Sequence, residues 1–466
     1  MSTVNPTSAP AFVHDLDTCV GCHACVIACA NENGLAPGRF WRRIISFNSS
    51  HVPDLPVYHL SLACNHCLDA PCATACPAAA IARDEQTGAV LIDNARCIGC
   101  RYCSWVCPFD APQFNGQAGV MEKCTLCNHR LLQNLAPACT SLCPTGALSF
   151  GKYGEKGGVT VAGFPEQDIR PAISFLPMRG RAPQPAPPGA TIPEESQIAA
   201  WMVQDGGKIP DSKISLKSEW SLAVFTFIGI ALVSWFLASL AGGPAVIPEL
   251  FGAVGLAGIG LSSMHLGKKQ RAWRAMINWR RSWLSREVIA YPFFIGMGVL
   301  TSAFYPEAAP LVWVTAVAGG LLLVVIDGVY AAMARDWSSS FDGQASVLSA
   351  AFLVSVLTGN VSLAVLTGLL RVYALMDRIQ KRRESKGGSA HSNWLSVSRL
   401  LAGLVIPAVL WMSGDEATSL VAGFALLGEF ADRLDFYDSL YVTTPRRTMA
   451  IALTKSISSI SSSRGG

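Results

Sequence analysis

Long hydrophobic runs fill the second half of this chain, starting at Trp220. Each run has about the 20 residues that a helix needs to cross a bilayer. The runs predict about eight transmembrane helices, at residues 220–241, 245–266, 287–306, 309–334, 340–358, 360–377, 394–413 and 417–436. The break "TGN" at 358–360 is thin, and one long kinked segment there would give seven. We therefore predict an all-α polytopic membrane domain over 220–440, followed by a polar tail over 441–466.

The first half of the chain has a different character. All 16 cysteines lie between Cys19 and Cys143, and they predict a separate cysteine-rich domain over 1–180. The stretch RAPQPAPPGATIP, residues 181–193, is rich in proline and favours extended conformations. We interpret residues 181–219 as a semi-rigid linker between the two domains. The alternative is a segment that folds over a partner subunit.

Composition and charge agree with a membrane protein. Hydrophobic residues make up 51% of the chain and charged residues only 15%. Residues 1–219 hold 16 Lys and Arg against 18 Asp and Glu, so the net charge of +4 comes entirely from the second half. Basic loops beside a membrane explain this balance better than a nucleic-acid surface, for which the sequence has no motif. We expect no nucleic acid as a partner.

The distribution of Lys and Arg predicts the orientation of the membrane domain. The loops 267–287 and 378–393 hold seven and five basic residues. With eight spans, both loops share a side with the N-terminal domain and the C-terminal tail, and the opposite connections have no Lys or Arg. The positive-inside rule assigns that basic side to the cytoplasm, and the polar N-terminus has no export signal. We expect a bacterial inner-membrane protein with its cysteine-rich domain on the cytoplasmic face.

The cysteines fall into four sets of four. They are Cys19, Cys22, Cys25 and Cys29; Cys64, Cys67, Cys72 and Cys76; Cys97, Cys100, Cys103 and Cys107; and Cys124, Cys127, Cys139 and Cys143. Sets one and three read C-x2-C-x2-C-x3-C, and every set ends in C-x3-C. A proline follows the last cysteine of sets two, three and four.

This spacing is typical of cuboidal iron–sulfur clusters. Three thiolates at short intervals on a tight loop can reach three irons of one cube, and the fourth thiolate reaches the other cluster of a pair. The sets therefore predict four [4Fe–4S] clusters in an α+β, ferredoxin-like double 2[4Fe–4S] domain. Disulfides and structural zinc are weaker alternatives, because thiols this close in sequence rarely suit bridge geometry and zinc prefers separated knuckles.

The membrane half contains few histidines that could ligate a haem. Haem b normally takes paired histidines from facing helices, and among eight histidines only His265 falls in a predicted span, while His391 lies in a basic loop. We therefore predict no haem. Without haem, a quinone must bind close enough to a cluster to exchange electrons with it directly, at the cytoplasmic ends of the helices.

Two residues suit such a quinone site. His265 ends the second span and Glu287 opens the third, on either side of the first basic loop. Quinol oxidation releases two protons with two electrons, and imidazole and carboxylate groups are suitable proton acceptors. The alternative for both residues is a local role at a helix end.

Two further acidic residues, Asp327 and Glu429, lie deep in predicted spans. An ionisable group at that depth indicates a function such as proton transfer. A structural pairing with Arg371 or Arg399 is the alternative.

The segments DTCVGCHACVIAC, CNHCLDAPCATACP, CIGCRYCSWVCPFDAPQF and EKCTLCNHR resemble the four-cluster iron–sulfur subunit of the dimethyl sulfoxide reductase family of molybdenum enzymes. Residues from about 216 to 440 resemble the membrane anchor subunit of those enzymes, chiefly through HLGKKQRAWRAMINWRRSWLSREV. These subunits are usually separate polypeptides, whereas here they look fused. The resemblance implies a molybdopterin-containing catalytic subunit as a third polypeptide.

The resemblance also implies which cysteines share a cluster, because set one pairs with set four and set two with set three. The implied ligand groups are group A, Cys19, Cys22, Cys25 and Cys143; group B, Cys29, Cys124, Cys127 and Cys139; group C, Cys64, Cys67, Cys72 and Cys107; and group D, Cys76, Cys97, Cys100 and Cys103. In relatives the cluster of group D lies nearest the quinol site. His265 and Glu287 match anchor positions that the family associates with menaquinol.

We therefore predict an electron-transfer and membrane-anchor subunit of a molybdopterin oxidoreductase. It would pass electrons from menaquinol or ubiquinol, drawn from the membrane quinone pool, through four clusters to the catalytic subunit. His265, Glu287 and Asp327 are the predicted quinone-site residues, and the protein performs only the quinol-oxidising half reaction. One alternative reverses the flow, from a dehydrogenase partner to quinone. Another makes the protein one module of a larger quinol-oxidising respiratory complex.

Overall fold

The computed structural model describes residues 9–49, 51–52, 54–155, 158–165, 168–179, 214, 216–334, 345–386, 393–412, 418–440, 442 and 444–464. The chain divides into two compact units. The first contains residues up to 211 together with residues from 442 onwards, and the second contains residues 212–441. Most of the predicted linker and His391 lie outside the described residues.

Short strands form the frame of the first unit. Strand β1 (Pro10–Asp15) is central in a three-stranded sheet, antiparallel to β8 (Leu148–Lys152) and parallel to β9 (Ile173–Leu176). Three antiparallel pairs lie between them in sequence: β2 (Arg43–Phe47) with β3 (Tyr58–Leu62), β4 (Ile81–Arg83) with β5 (Val90–Ile92), and β6 (Gln113–Asn115) with β7 (Val120–Glu122). The buried core includes Phe12 from β1, Leu60 from β3 and Phe175 from β9.

Five short helices of the first unit carry or follow cysteines. They are α1 (Ala24–Glu32), α2 (Pro71–Ala75), α3 (Tyr102–Trp105), α4 (Asn128–Leu131) and α5 (Ala138–Ser141). The described part of this unit is therefore a mixture of strands and helices, of the α+β kind that the sequence predicts.

The described residues of the second unit form helices joined by short loops. Its α-helices are α6 (Leu216–Leu240), α7 (Pro248–Met264), α8 (Trp283–Phe304), α9 (Ala309–Ala334), α10 (Ala345–Leu357), α11 (Val361–Lys386), α12 (Asn393–Leu400), α13 (Ile406–Met412) and α14 (Thr418–Ser439). A 3₁₀ helix (Lys269–Met276) lies between α7 and α8, and a π-helical turn (Leu401–Val405) joins α12 to α13. The thin break at 358–360 does separate α10 from α11, because Gly359 has φ +68°.

Helices occupy all eight predicted positions, but fewer meet a strict test for a membrane span. Among the described residues, four segments are long and apolar enough: α6, α8, residues 309–333 of α9, and residues 395–412. A fifth is α7 with the 3₁₀ helix, if this pair, bent by 107°, counts as one span. In its described part α10 is short, and α11 and α14 carry charged side chains. The count of eight spans stays a prediction.

The end of the chain differs from the predicted polar tail. Residues Pro445–Arg464 form a helix, α15, which belongs to the first unit. Met449, Leu453 and Ile457 recur at every fourth position, are buried, and join the core of that unit. Abundant Ser, Thr and basic residues give this segment a polar composition, while a single apolar stripe suffices to dock a helix.

Leu453→Ala should destabilise the first unit by about 2–5 kcal/mol, because it leaves a cavity in the core where Leu453 is only 6% exposed. The matched control is Leu135→Ala, which truncates a leucine that is 46% exposed in the same unit. Pulse proteolysis of the whole chain in urea, with peptides mapped to residues 9–179, measures the stability of the first unit in both variants. Equal effects of the two substitutions would show that α15 does not support this core.

Candidate iron–sulfur and quinone sites

The four cysteine sets share one backbone turn. In each set the residue before the second cysteine has a positive φ: 67° at Gly21, 44° at His66, 70° at Gly99 and 60° at Leu126. This left-handed residue reverses the chain and exposes backbone N–H groups on the inside of the turn. The N–H groups of His66 and Leu126 donate to the Sγ atoms of Cys64 and Cys124, each at 3.4 Å.

A short helix positions the last two cysteines of each set. Cys25, Cys72, Cys103 and Cys139 each occupy the second position of a helix. The final cysteine follows four residues later: Cys29 lies within its helix, whereas Cys76, Cys107 and Cys143 lie just beyond the ends of theirs. The third cysteine of each set is therefore held by a helix, and in three sets the fourth is held by the segment that leaves it. This arrangement allows the two thiols to serve two neighbouring clusters.

Two pockets in the first unit are each lined by four cysteines. The lining of one includes Cys64, Cys67, Cys72 and Cys107. The lining of the other includes Cys76, Cys97, Cys100 and Cys103. These are groups C and D as the resemblance implies them, each with three thiols from one set and one from its partner set.

Electrostatic interactions link the cysteines within groups A and B. Burial raises the pKa of the Cys19 thiol, and its neighbours Cys25, Cys143 and Cys22 add to that rise. These four cysteines are group A. Burial likewise raises the pKa of the Cys29 thiol to about 12, and the cysteines acting on it include Cys139 and Cys127 of group B.

Electrostatic interactions between cysteines of different groups indicate their order. Cys139 of group B acts electrostatically on Cys25 of group A. Cys64 of group C acts on Cys124 of group B. Cys76 of group D acts on Cys72 of group C. The neighbouring groups therefore follow the order A, B, C, D.

The residues of these sites fit [4Fe–4S] clusters. All sixteen cysteines are described and none forms a disulfide. Burial raises the pKa of thiols such as Cys72, to about 12, so they stay protonated at neutral pH unless a positive charge compensates, as iron does. Asn65 Nδ2 and His66 Nε2 line the group C cavity, buried and without a hydrogen-bond partner among the described residues. Both are groups that can donate to cluster sulfur. Among the described residues, no three His, Cys, Asp or Glu side chains are placed to hold a single metal ion.

His265 and Glu287 lie at the same end of one antiparallel helix pair. Small residues set the register, because a Cβ at Gly255 would meet Ile295 and one at Gly258 would collide with the Tyr291 hydroxyl. His265 caps the C-terminus of α7 and is half-buried. Glu287, in the second turn of α8, is only 4% exposed.

Asp327 and Glu429 have structural partners. The Asp327 carboxylate accepts hydrogen bonds from the backbone N–H groups of Ser346, at 3.0 Å, and Val347, at 3.4 Å, in the first turn of α10. It acts as an N-terminal cap for that helix. Glu429 forms a buried ion pair with Arg371, one of the two pairings weighed from the sequence.

Sequence reasoning missed several buried polar residues. The hydroxyls of Tyr330 and Tyr437 are hydrogen-bonded to each other, and Glu287 acts electrostatically on both. In the first unit, Arg42 and Lys123 are buried among the cysteines. The only signal in the sequence was a polar residue within or beside an apolar segment, which is also common at protein surfaces.

Comparison with known proteins agrees with this geometry. Residues 55–153 match the family model of the 4Fe-4S dicluster domain, and residues 217–376 match that of the DMSO reductase anchor subunit. The protein is 35% identical to a sulfite dehydrogenase subunit of Allochromatium vinosum over 201 residues, which cover 36% of this chain and 83% of that protein. It is 40% identical to the thiosulfate reductase electron transfer subunit PhsB of Salmonella typhi over 153 residues, 32% of this chain and 79% of that protein.

A polypeptide of the anaerobic dimethyl sulfoxide reductase of Escherichia coli is 38% identical over 157 residues, 32% of this chain and 76% of that protein. The chain belongs to the dimethyl sulfoxide reductase family of iron–sulfur subunits. It joins such a subunit to a membrane anchor subunit in one polypeptide, which confirms the predicted fusion. As a family member it is an electron-transfer iron–sulfur subunit that works with a separate catalytic subunit.

Gly21→Ala should lower the iron content of this iron–sulfur subunit. Alanine at φ +67° costs about 1–2 kcal/mol, and its Cβ would lie 2.9 Å from His59 Nδ1, which is hydrogen-bonded to Ser46. Gly34→Ala is the matched control, since Gly34 has φ +57° and no atom within 4 Å of a new Cβ. Measuring the iron content per chain after anaerobic purification distinguishes the two variants. Equal iron in both variants would contradict a tight fit between this turn and His59.

Proposed function

We propose that this protein oxidises menaquinol in the membrane and passes the electrons through four [4Fe–4S] clusters to a molybdopterin-containing catalytic subunit. The observation that carries the proposal is the convergence of the sixteen cysteines into groups A, B, C and D, in that order. When bound, the four clusters supply the one-electron steps that connect a two-electron donor to a two-electron acceptor. Ubiquinol is the alternative donor, and no haem takes part.

The first unit contributes ligands and insulation. The thiolates of each group hold the irons, and the N–H groups inside the four turns stabilise the negative sulfur atoms. Most of the sixteen cysteines are buried; only Cys22 is exposed, and Cys100 and Cys143 are half-buried. Cys22 belongs to group A, so that end of the series is open to a partner protein.

The second unit contributes the quinol half reaction. Oxidation of a quinol to a quinone releases two electrons and two protons. We assign proton acceptance to Glu287, which is buried away from bulk water, and to His265, whose half-buried ring at the end of α7 gives a route out. By resemblance to the family, the cysteines of group D would hold the cluster that accepts the electrons. Asp327 contributes to this site indirectly. Its carboxylate is engaged as the N-terminal cap of α10.

Chain connectivity supports the orientation of the membrane unit. Residues on both sides of 212–441 belong to the first unit. This arrangement supports an even number of membrane crossings, such as the eight that we propose. The basic loops 267–287 and 378–393 then share the side of the iron–sulfur unit, which the positive-inside rule assigns to the cytoplasm. The membrane is the bacterial inner membrane, with its quinone pool as the partner.

The reverse direction is the second candidate, and one observation favours it. One of the relatives is a subunit of a sulfite dehydrogenase, whereas others belong to reductases. In that direction the same groups would carry electrons from group A to group D, and Glu287 and His265 would donate protons to a quinone. Anaerobic redox titration separates the two, since cluster potentials uniformly far below that of menaquinone disfavour quinol as the donor.

His265→Ala and Glu287→Gln should abolish reduction of the clusters by a menaquinol analogue, because each removes a proton acceptor. Reduction by dithionite should be unchanged. The control is Glu307→Gln, which changes an exposed glutamate in the loop between α8 and α9. Stopped-flow absorbance of the full chain in detergent measures both reactions. Normal quinol turnover in His265→Ala would contradict the proposed quinol site.

Cys100→Ser and Cys22→Ser test the order of the groups, because each changes the second cysteine of its set. Each variant should lose about a quarter of its iron, the share of one cluster out of four. Cys100→Ser in group D should block quinol reduction of the remaining clusters. Cys22→Ser in group A should leave that reduction intact. The opposite pattern, or no difference between the variants, would contradict electron entry at group D.

A further inference from the structure

Arg42, the residue before β2, is a buried cation. It is 1% exposed, and among the described residues no Asp or Glu pairs with it. Its Nη1 donates to the carbonyl oxygen of Ser61, at 3.1 Å, and to the hydroxyl of Ser61, at 3.0 Å. Its Nε and Nη2 have no hydrogen-bond partner among the described residues. Its guanidinium carbon lies 4.6 Å from the ring centroid of Phe12.

The charges that act on Arg42 belong to cysteines of two neighbouring groups. Its strongest electrostatic partners are Cys139, Cys124 and Cys29 of group B and Cys25 of group A. A guanidinium buried without a counter-ion is costly, by several kcal/mol. Group B therefore has to supply the negative charge that makes this burial stable, and Cys139 of that group interacts with the guanidinium.

Lys123 has the same relation to group C. It is 3% exposed, and its strongest electrostatic partners are Cys64 and Cys72 of group C and Cys124 of group B. Its ammonium group donates to the carbonyl oxygens of Val90 and Cys124.

We propose that Arg42 and Lys123 are fixed counter-charges that raise the reduction potentials of the clusters held by groups B and C. Four thiolates outweigh the positive charge of an iron–sulfide core, so each bound cluster is anionic and gains one negative charge with each electron. A fixed cation beside it in a low-dielectric interior stabilises the reduced form more than the oxidised form. Both residues are positioning residues for electron transfer, and the inference rests on the proposed ligation of the clusters.

Anaerobic redox titration of the full-length protein, followed by electron paramagnetic resonance, tests this inference. Arg42→Gln should lower one midpoint potential by about 59 mV or more, which is a tenfold change in a one-electron equilibrium. The affected signal should be the one that disappears in Cys127→Ser, which identifies group B. Lys123→Gln should lower the midpoint of the signal that disappears in Cys67→Ser, which identifies group C.

Arg43→Gln is the matched control, because Arg43 follows Arg42 directly but faces Asp110 in a salt bridge of 2.9 Å. Its midpoints should equal those of the unaltered protein. Arg42→Lys keeps the positive charge, so the midpoint potential of the group B cluster in this variant should stay close to that of the unaltered protein. This variant therefore tests the inference even if Arg42→Gln loses the cluster. Unchanged midpoints in Arg42→Gln at full iron content, or an equal drop in Arg42→Lys and Arg42→Gln, would overturn the inference. Failure of the proposed function is distinct, since it would appear as fewer than four clusters in the unaltered protein.

Discussion

Sixteen thiols, most of them buried, crowd into one small unit, and the architecture of that unit has to accommodate them. A buried thiol resists ionisation, as the raised pKa values of Cys29 and Cys72 illustrate, yet it binds iron only as a thiolate. The first unit provides two kinds of group that stabilise thiolates. They are the backbone N–H donors of its turns and two buried cations, Arg42 and Lys123. Iron binding and folding of this unit are therefore coupled.

Charge also organises the helical unit, in a different way. Asp432 of α14 contacts three arginines, at 2.6 Å from Arg399, 3.2 Å from Arg378 and 3.6 Å from Arg371. Buried ion pairs of this kind add little net stability, because desolvation offsets their attraction, but removing one partner is costly. They fix how α11, α12 and α14 can pack. These ion pairs also explain why α11 and α14 are not apolar enough to be identified as membrane spans from composition alone. The charged side chains that lower their apolarity are paired within the bundle.

The polar groups of the helical unit gather at one end. Glu287 lies near the start of α8, Tyr330 near the end of α9 and Tyr437 near the end of α14. Helices α6 and α14, through which the chain enters and leaves this unit, have their connected termini at that same end. A quinone exchanging protons there would meet ionisable side chains, whereas the opposite ends of these helices are predominantly apolar. This asymmetry is what the proposed quinol reaction requires of a membrane anchor.

The four cysteine sets, the positions of the helices and the family can all be identified without coordinates, because spacing within a set and the length of an apolar run are local properties. Which distant thiols converge, such as Cys64 with Cys107, is set by how separate loops pack, and no local pattern encodes that packing. The docking of α15 into the first unit and the helix that Asp327 caps are contacts of the same long-range kind. Arg42 and Arg43 are identical neighbours in sequence, yet one is buried among cysteines and the other bonds Asp110 at the surface. Arg42 donates to Ser61 of β3, the strand that pairs with β2, so its position depends on the pairing of these two strands.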